Sequence, residues 1–312
     1  MLDQCAPALA TLSAVRPRVT VIHNPASGWR NGWRLRRFVE TAVARGLCVV
    51  VRTTGRAGDA EAMAATVAAD DATDVLVVAG GDGTINEVIN GLAGAASPPP
   101  LAILPLGTAN VLAVEIGASG TAHRLVEDIV RGAANVRMCV AEANGRRFAM
   151  MAGTGFDAHV VAAVDPRLKR LAGKAAYVFA FAQTLLRFGR RHYRVTVDGT
   201  AHEAASVVIA NGHYYGGRFT CAPEARLATP ELHVCLFLRG GRWSALRYGI
   251  ALLVGMLHRR ADVRIVRGRH VRVEAAGCEP VQCDGDVATA LPLEVRTTGE
   301  TVQLIAPAGA GG

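Results

Sequence analysis

The chain has 312 residues, 51% of them hydrophobic and 19% charged, enough apolar side chain for two ordinary cores and too much for general disorder. Its 34 Lys and Arg against 26 Asp and Glu give a formal charge of +8 at pH 7, which favours anionic partners such as nucleotide phosphates, nucleic acid or an acidic membrane surface. Aromatics are only 5% and no basic run is interleaved with them, so stacking on single-stranded nucleic acid is excluded and no nucleic-acid partner is expected.

In chain order, strands are predicted at Val19 to Ile22, Cys48 to Arg52, Val75 to Ala79 and Leu101 to Leu104, each ended by Gly, Pro or polar turns. Between them Leu35, Phe38, Val39, Ala42 and Val43 repeat at helical spacing, an Ala-rich stretch runs from Asp59 to Ala69, and Ile85, Val88, Ile89 and Leu92 form a third stripe. Near-continuous apolar strands between helices predict a parallel sheet covered on both faces. After a helix from Thr121 to Arg131 the texture changes. Strand-like runs then follow one another: Val136 to Ala141, Arg147 to Met151, Tyr193 to Val197, Ala205 to Ile209, Leu232 to Leu238, Val263 to Val266, His270 to Glu274, Val281 to Cys283 and Leu293 to Arg296. Two helical insertions are predicted among them, about Leu168 to Phe188 and Trp243 to Arg259. The expected organisation is an α/β domain with a mainly parallel sheet over residues 15–135 and a β-sandwich domain over 136–306, with the last strand free to return to the first domain.

Seven scattered cysteines, odd in number and without a CxxC pair, argue against a disulfide framework or zinc ribbon and for a reducing interior. The N-terminal stretch carries Asp3 and no basic region before its weakly apolar run, unlike a signal peptide. The most apolar helical runs, Ala175 to Ala182 and Ile250 to Leu257, are far shorter than the ~20 residues of a membrane span. A cytoplasmic protein is expected, touching membranes only at their surface.

Three glycine-rich loops each follow a predicted strand of the first domain: HNPASG (His23 to Gly28), GGDGTINEVINGL (Gly80 to Leu92) and LPLGTANVLA (Leu104 to Ala113). In a parallel sheet all three emerge at the carboxyl edge, where ligands of open α/β sheets bind. Gly80, Gly81 and Gly83 let the backbone approach a phosphate. Thr84 is expected to cap a helix beginning at Ile85, whose positive end favours anions. Asp82 stands among these donors. A carboxylate there suits a Mg²⁺ ligand, directly or through water, or a base near a transferred phosphoryl group. A tight structural turn would use the same residues. The chain has no GxxxxGK[ST] sequence and no GxGxxG between its first strand and helix, which excludes a P-loop NTPase and an ordinary dinucleotide enzyme.

In their order and spacing the three loops resemble the catalytic domain of diacylglycerol kinase-like lipid kinases, which include bacterial lipid kinases, sphingosine kinases and ceramide kinases. NAD kinases and phosphofructokinases share the GGDG element only. The resemblance continues through MAGTGFDA (Met151 to Ala158), NGHYYGGRFTCAPEARL (Asn211 to Leu227) and CDGD (Cys283 to Asp286), nearly the whole chain. It implies a NAD kinase/diacylglycerol kinase-like fold, ATP and Mg²⁺ as cofactors, and transfer of the γ-phosphoryl group to the hydroxyl of diacylglycerol or a related lipid such as a sphingoid base. The lipid substrate is then met at a membrane surface, in a cleft between the domains. By matched motif it assigns Asn24 and Ser27 to the nucleotide loop and Thr54 to its vicinity. It assigns Gly80, Gly81, Asp82, Gly83, Thr84, Ile85 and Asn86 to the phosphates, and Gly107, Thr108 and Asn110 to the rest of the pocket. The base for the lipid hydroxyl falls on Asp286, with Asp284 orienting the hydroxyl or sharing the metal. On the residues alone, CDGD reads as a solvated turn.

Two departures stand out. Asp286 replaces the family's commoner Glu, and Thr229-Pro230 replace an Asp-Gly pair that helps form an accessory metal site in some bacterial members, leaving only the carbonyls of Arg226 and Glu231 there. An NAD kinase-like enzyme and a catalytically silent nucleotide- or lipid-binding protein of the same fold are the alternatives. Of Arg30, Arg34, Arg36 and Arg37, Arg30 or Arg34 suits a phosphate contact, while a solvated helix face is the expected use of most of them. The segment Lys169 to Arg191, an apolar helix with basic ends, suits core packing and docking on anionic lipid equally. The arginines of Arg259 to Val273 suit one exposed strand face, and His213 falls near the cleft. No residue pattern selects among acceptor lipids or sets an oligomeric state.

Overall fold

β3 (Val75–Gly80) and β4 (Leu101–Pro105) are buried along their whole length, and that burial dictates the first domain. In the computed structural model, which describes residues 17–28, 32–70, 72–118, 121–132, 135–165 and 174–307, these strands join β1 (Arg18–His23) and β2 (Cys48–Thr53) in the parallel order β2-β1-β3-β4. Alternate strand residues face opposite helical layers. Leu76 and Val78 pack with α2 (Asp59–Ala69) and α3 (Asp82–Gly91) through Ala64, Val67, Ile85 and Ile89. Val77 and Ala79 pack with Phe38 and Ala42 of α1 (Gly32–Ala44) and with Leu125 and Val126 of a helix at Ala122–Val130. The latter is α5; the short α4 (Val111–Glu115) precedes it.

The second domain is a sandwich whose first sheet is continuous with the parallel one. β18 (Leu293–Ile305) pairs in parallel with β4 at Leu304↔Leu101, and antiparallel with β5 (Asn135–Ala143) and β15 (His270–Glu274). β8 (Tyr193–Val197) and β9 (Thr200–Ala204) extend that edge, and β6 (Arg146–Phe148) pairs with β5. The second sheet runs β14-β13-β10-β7-β16-β17: Val263–Gly268, Leu232–Phe237, Ser206–Ala210, Met151–Thr154, Pro280–Cys283 and Asp286–Ala290. β11 (Tyr214–Tyr215) and β12 (Phe219–Thr220) form a separate small hairpin. Val195, Val271, Val273 and Leu293 of the first sheet meet Val207, Ile209, Val234 and Val281 of the second in the sandwich core. Against the outer face of the second sheet lie α6 (Phe156–Ala163), α7 (Lys174–Arg187) and α8 (Arg242–Leu253).

Several expectations need correction. α6 is a third helical insertion; its eight residues, started at Gly155 with φ 102°, are too short to show a stripe. The predicted strand Arg147 to Met151 is two strands, because the N–H groups of Ala149 and Met150 turn out of the ladder toward a carboxylate described below. The last strand runs nine residues beyond Arg296, to Ile305, with a register shift opposite β5. Thr84 does not cap a helix from Ile85: α3 begins at Asp82 with Gly81 as its cap, and Thr84 lies buried in the first turn. The predicted start of α7 at Leu168 and the basic residues Lys169 and Arg170 lie outside the described residues, as does Arg30.

α2 and α3 approach so closely that a Cβ on Gly91 would lie 2.8 Å from the Ala64 Cβ and closer still to the Glu61 carbonyl. Because the obstruction is helix backbone, Gly91→Ala is expected to cost about 2 kcal/mol by chemical denaturation. An unchanged midpoint would show that the two helices part freely.

Candidate active site

The three glycine-rich loops meet at the carboxyl edge of the parallel sheet and hold one another through backbone and amide groups. After β1, the Asn24 N–H donates to the Ala79 carbonyl (3.0 Å), its Oδ1 accepts the Ala26 N–H (2.9 Å), and its Nδ2 donates to Thr84 Oγ1 (3.0 Å). After β3, the Gly80 carbonyl accepts N–H groups from Leu106 (2.9 Å) and Gly107 (3.2 Å). After β4, Asn110 adopts a left-handed φ of 49°, and its side chain bonds both the N–H and the carbonyl of Gly107 (3.0 and 2.8 Å). Gly81 and Gly107 are nearly in contact: a Cβ on Gly107 would stand 2.5 Å from Gly81 Cα, and Ser27 Oγ flanks the same spot. The floor here is therefore bare backbone beside the N-terminus of α3, whose first N–H groups have no intrahelical acceptor. Such a floor fits a chain of phosphates. Thr108 is exposed at its rim, Thr54 is buried with its N–H on the His23 carbonyl (2.9 Å), and the Ile85 side chain is core. Arg34 is anchored by donating to the Pro105 carbonyl at 2.8 Å; Arg36 and Arg37 are exposed.

Asp82 ties two loops together. Its oxygens accept the N–H groups of Val111 (2.6 Å) and Asn110 (2.8 Å), at the start of α4. Burial raises its pKa to about 6 and the nearby charge of Asp284 adds to this, while the backbone bonds oppose it. Each oxygen keeps a second lone-pair site.

Asp284 faces Asp82 from the second domain, in a two-residue turn between β16 and β17. Asp284 and Gly285 both have positive φ, 50° and 86°, as the tightest hairpin turn requires. The Asp284 carboxylate accepts the N–H groups of Ala149, Met150 and Met151 (2.8, 2.8 and 3.1 Å) and the Asn86 amide (2.9 Å). Burial pushes its pKa up while these donors pull it down. Four donors thus engage the Asp284 carboxylate, and Asn86 serves the domain junction through its side chain: it also donates to the Arg147 carbonyl (3.0 Å). Asp286, two residues on, is exposed, and its Oδ2 would lie 2.8 Å from a Cβ on Gly83. The acid at the end of CDGD thus stands against the GGDG loop.

Behind the turn, within the second domain, is an apolar cavity of about 170 Å³, lined by Phe156, Phe181, Phe188, Phe237 and Tyr248 among others. Its acid is Asp157. Oδ2 accepts the Gln282 amide (3.0 Å), Oδ1 has no hydrogen-bond partner, and burial raises the pKa to about 6. Gln282 Oε1 in turn accepts the Gly285 N–H (2.9 Å), so a short chain of bonds joins the cavity acid to the turn that carries Asp286. Sequence reading quoted Asp157 within MAGTGFDA but gave it no role. The available signal was a lone carboxylate in an otherwise apolar, glycine-rich motif.

The His213 ring is occupied by the Pro223 carbonyl (3.0 Å) and Thr220 Oγ1 (3.2 Å), while the backbone N–H groups of His213 and Tyr214 donate to the Glu115 carboxylate of the first domain. At the altered Thr229-Pro230 site, both the N–H and the hydroxyl of Thr229 donate to the Arg226 carbonyl (3.1 and 2.9 Å), so that carbonyl is already saturated. Among the described residues no three His, Cys, Asp or Glu side chains converge on one point. A Mg²⁺ bound largely through phosphate oxygens needs only one or two carboxylates, and Asp82, with a lone-pair site left on each oxygen, fits that need.

Residues 18–141 match the family described as Diacylglycerol kinase catalytic domain, and residues 150–306 match the YegS C-terminal NAD kinase beta sandwich-like domain. A diacylglycerol kinase of Mycobacterium tuberculosis is 30% identical over 305 residues, covering 93% of this chain and 95% of that protein. One from Bacillus subtilis is 26% identical over 300 residues, 93% and 96% of the two chains. A probable lipid kinase YegS-like from Pseudomonas fluorescens is 32% identical over 272 residues, 84% and 89%. The crystal structure of a putative diacylglycerol kinase from Bacillus anthracis str. Sterne shares the fold, with a TM-score of 0.78 at 22% identity over 94% of this chain and 96% of that one.

Two measurements test the carboxylates. Asp284→Asn keeps the left-handed turn but sets an amide donor against backbone donors, so urea unfolding should show a loss of about 3 kcal/mol; a loss below about 1 kcal/mol would make the contact dispensable. Asp157 binds its proton more tightly folded than unfolded, so through this group the fold loses stability as pH rises from about 3.8 to about 6. Asp157→Asn removes that loss. The variant should melt higher than the parent above pH 6 and match it near pH 3.5, and a difference independent of pH would contradict the burial of an ionising group.

Proposed function

Because the chain belongs to the diacylglycerol kinase family, we propose that it is an ATP-dependent lipid kinase that transfers the γ-phosphoryl group to a lipid hydroxyl of the diacylglycerol type. The observation that carries this reading is the approach of Asp286 to Gly83, since it sets an exposed carboxylate of one domain beside the phosphate-type loop of the other. The triphosphate lies along Gly80 to Gly83 and Gly107, where glycine backbone and the α3 N-terminus offer N–H groups without side-chain obstruction. Asn24 and Ser27 border this groove, with Asn110 and Asp82 keeping its two walls in register. Mg²⁺, when bound with the nucleotide, supplies charge neutralisation on the phosphate oxygens; Asp82 holds it directly or through water. Asp286 accepts the proton of the lipid hydroxyl as that oxygen attacks. Asp284 fixes the turn that presents Asp286, and Gln282 locks it from behind.

The apolar cavity favours a lipid over NAD as acceptor, because a mostly apolar lining that includes six aromatic side chains offers a nucleotide's ribose few polar partners, whereas an acyl chain needs none. Asp157 then receives a hydroxyl near the head of that chain, on the oxygen that has no protein partner.

The test is phosphate transfer from labelled ATP with Mg²⁺, supplying diacylglycerol, monoacylglycerol, sphingosine or NAD⁺ in parallel. The parent is expected to label a lipid. Asp286→Ala should lower that turnover roughly a hundred- to ten-thousand-fold with ATP binding retained, and Asp286→Glu, about 1.5 Å longer, should keep measurable activity. Labelling of NAD⁺ alone, or parent-like turnover by Asp286→Ala, would refute the assignment.

A further inference from the structure

The solvent face of α7 is apolar. Ala175, Val178, Phe179, Ala182 and Leu186 recur at steps of three and four, so they form one stripe, and all are exposed, Phe179 by 63% and Leu186 by 77%. A surface helix ordinarily turns such a stripe inward. α8 lies beside it, with Gly249 so near the Phe181 ring that a Cβ would stand 3.1 Å away. It repeats the inversion: Trp243, Ile250 and Val254 share its outer face with Arg247 and are 66, 52 and 63% exposed.

Neither helix contains an acidic residue, whereas Arg187, Arg242 and Arg247 do punctuate them. Arg187 and Arg191 also line a second cavity of about 260 Å³, with His159, Gln183 and Thr184. Apolar side chains framed by arginines match the boundary between acyl chains and anionic headgroups, where guanidinium groups stay hydrated while their neighbours are buried. A second copy would instead bring like charges together on a chain already at +8. The inner faces of both helices line the cavity that contains Asp157, through Phe181, Tyr248 and Leu252. Tyr177 of α7 reaches the Gly285 carbonyl of the Asp286 turn at 3.5 Å.

We propose that the outer faces of α7 and α8 together form a docking surface for bilayers containing anionic lipid, placing Phe179, Leu186, Trp243, Ile250 and Val254 at the acyl boundary. The orientation of the cavity toward the acyl layer rests on the lipid kinase reading; the docking surface itself does not.

The experiment uses the full chain and vesicles of phosphatidylcholine with or without phosphatidylglycerol. The parent should sediment with the anionic vesicles and release as salt rises. A variant combining Phe179→Ser, Leu186→Ser, Ile250→Ser and Val254→Ser should bind roughly tenfold more weakly or worse, while phosphorylating a short-chain diacylglycerol dissolved as monomers at the parent rate. All four side chains are exposed, so the thermal midpoint should hold; should it fall, Phe179→Ser alone must still weaken vesicle binding measurably. Arg187→Gln with Arg247→Gln should remove the preference for phosphatidylglycerol. Parent-like vesicle binding by the four-site variant would overturn the proposal, as would a parent dimer in sedimentation velocity that the same substitutions dissociate. Failure of the parent to phosphorylate the monomeric lipid would count against the kinase reading alone, since vesicle binding is read without turnover.

Discussion

The carboxylate of Asp284 gathers three consecutive backbone N–H groups of its own domain and the Asn86 amide of the other, and the arrangement of the cleft follows from that contact. The three donors interrupt what would otherwise be one strand and split it into β6 and β7. Asn86 and Asn90, one helical turn apart on α3, then read the exposed backbone of Arg147: its carbonyl accepts from both amides and its N–H donates to Asn90 Oδ1. The helix that begins at the phosphate-type loop is thereby bolted along its polar side to the second domain. Arg147 closes the assembly with a paired contact to Glu300 on β18 (2.8 and 2.7 Å).

Covalent topology reinforces the junction. β18 leaves the sandwich and ends beside β4, so one sheet passes through both domains and resists their rotation about the chain crossing near β5. On the far side of the cleft, Glu115 bridges to the NGHYYGG loop by accepting two N–H groups.

The same compactness carries an electrostatic cost. Asp82, Asp157 and Asp284 all have pKa values raised by burial, and Asp82 is raised further by Asp284 across the cleft. Burying acids in this way destabilises their ionised forms. The basic excess of the chain lies elsewhere, in part on the arginines of α7 and α8, so the protein separates an acidic cleft from a basic, apolar outer face.

Much of this was legible in the residues. Apolar strands alternating with helices determine a parallel sheet because buried strands need cover on both faces, and that topology alone places HNPASG, GGDG and GTAN on one edge. Asp284-Gly285 specifies its tight hairpin locally, through backbone conformations that few other residues accept. Other features depend on partners far away in the chain. Local spacing made Thr84 a cap, but Thr84 sits inside the first turn and is claimed by Asn24, while Asp82 also ties its loop to the N–H groups at the start of α4. Asp157 looked like one motif residue among several until packing enclosed one oxygen without a partner. For α7, the apolar character of the helix was plain in the sequence, yet a helix with apolar residues on several sides has no intrinsic inside. Which stripe met the sandwich and which faced solvent was decided by the neighbouring elements, since burial is a property of the packed chain and not of the segment.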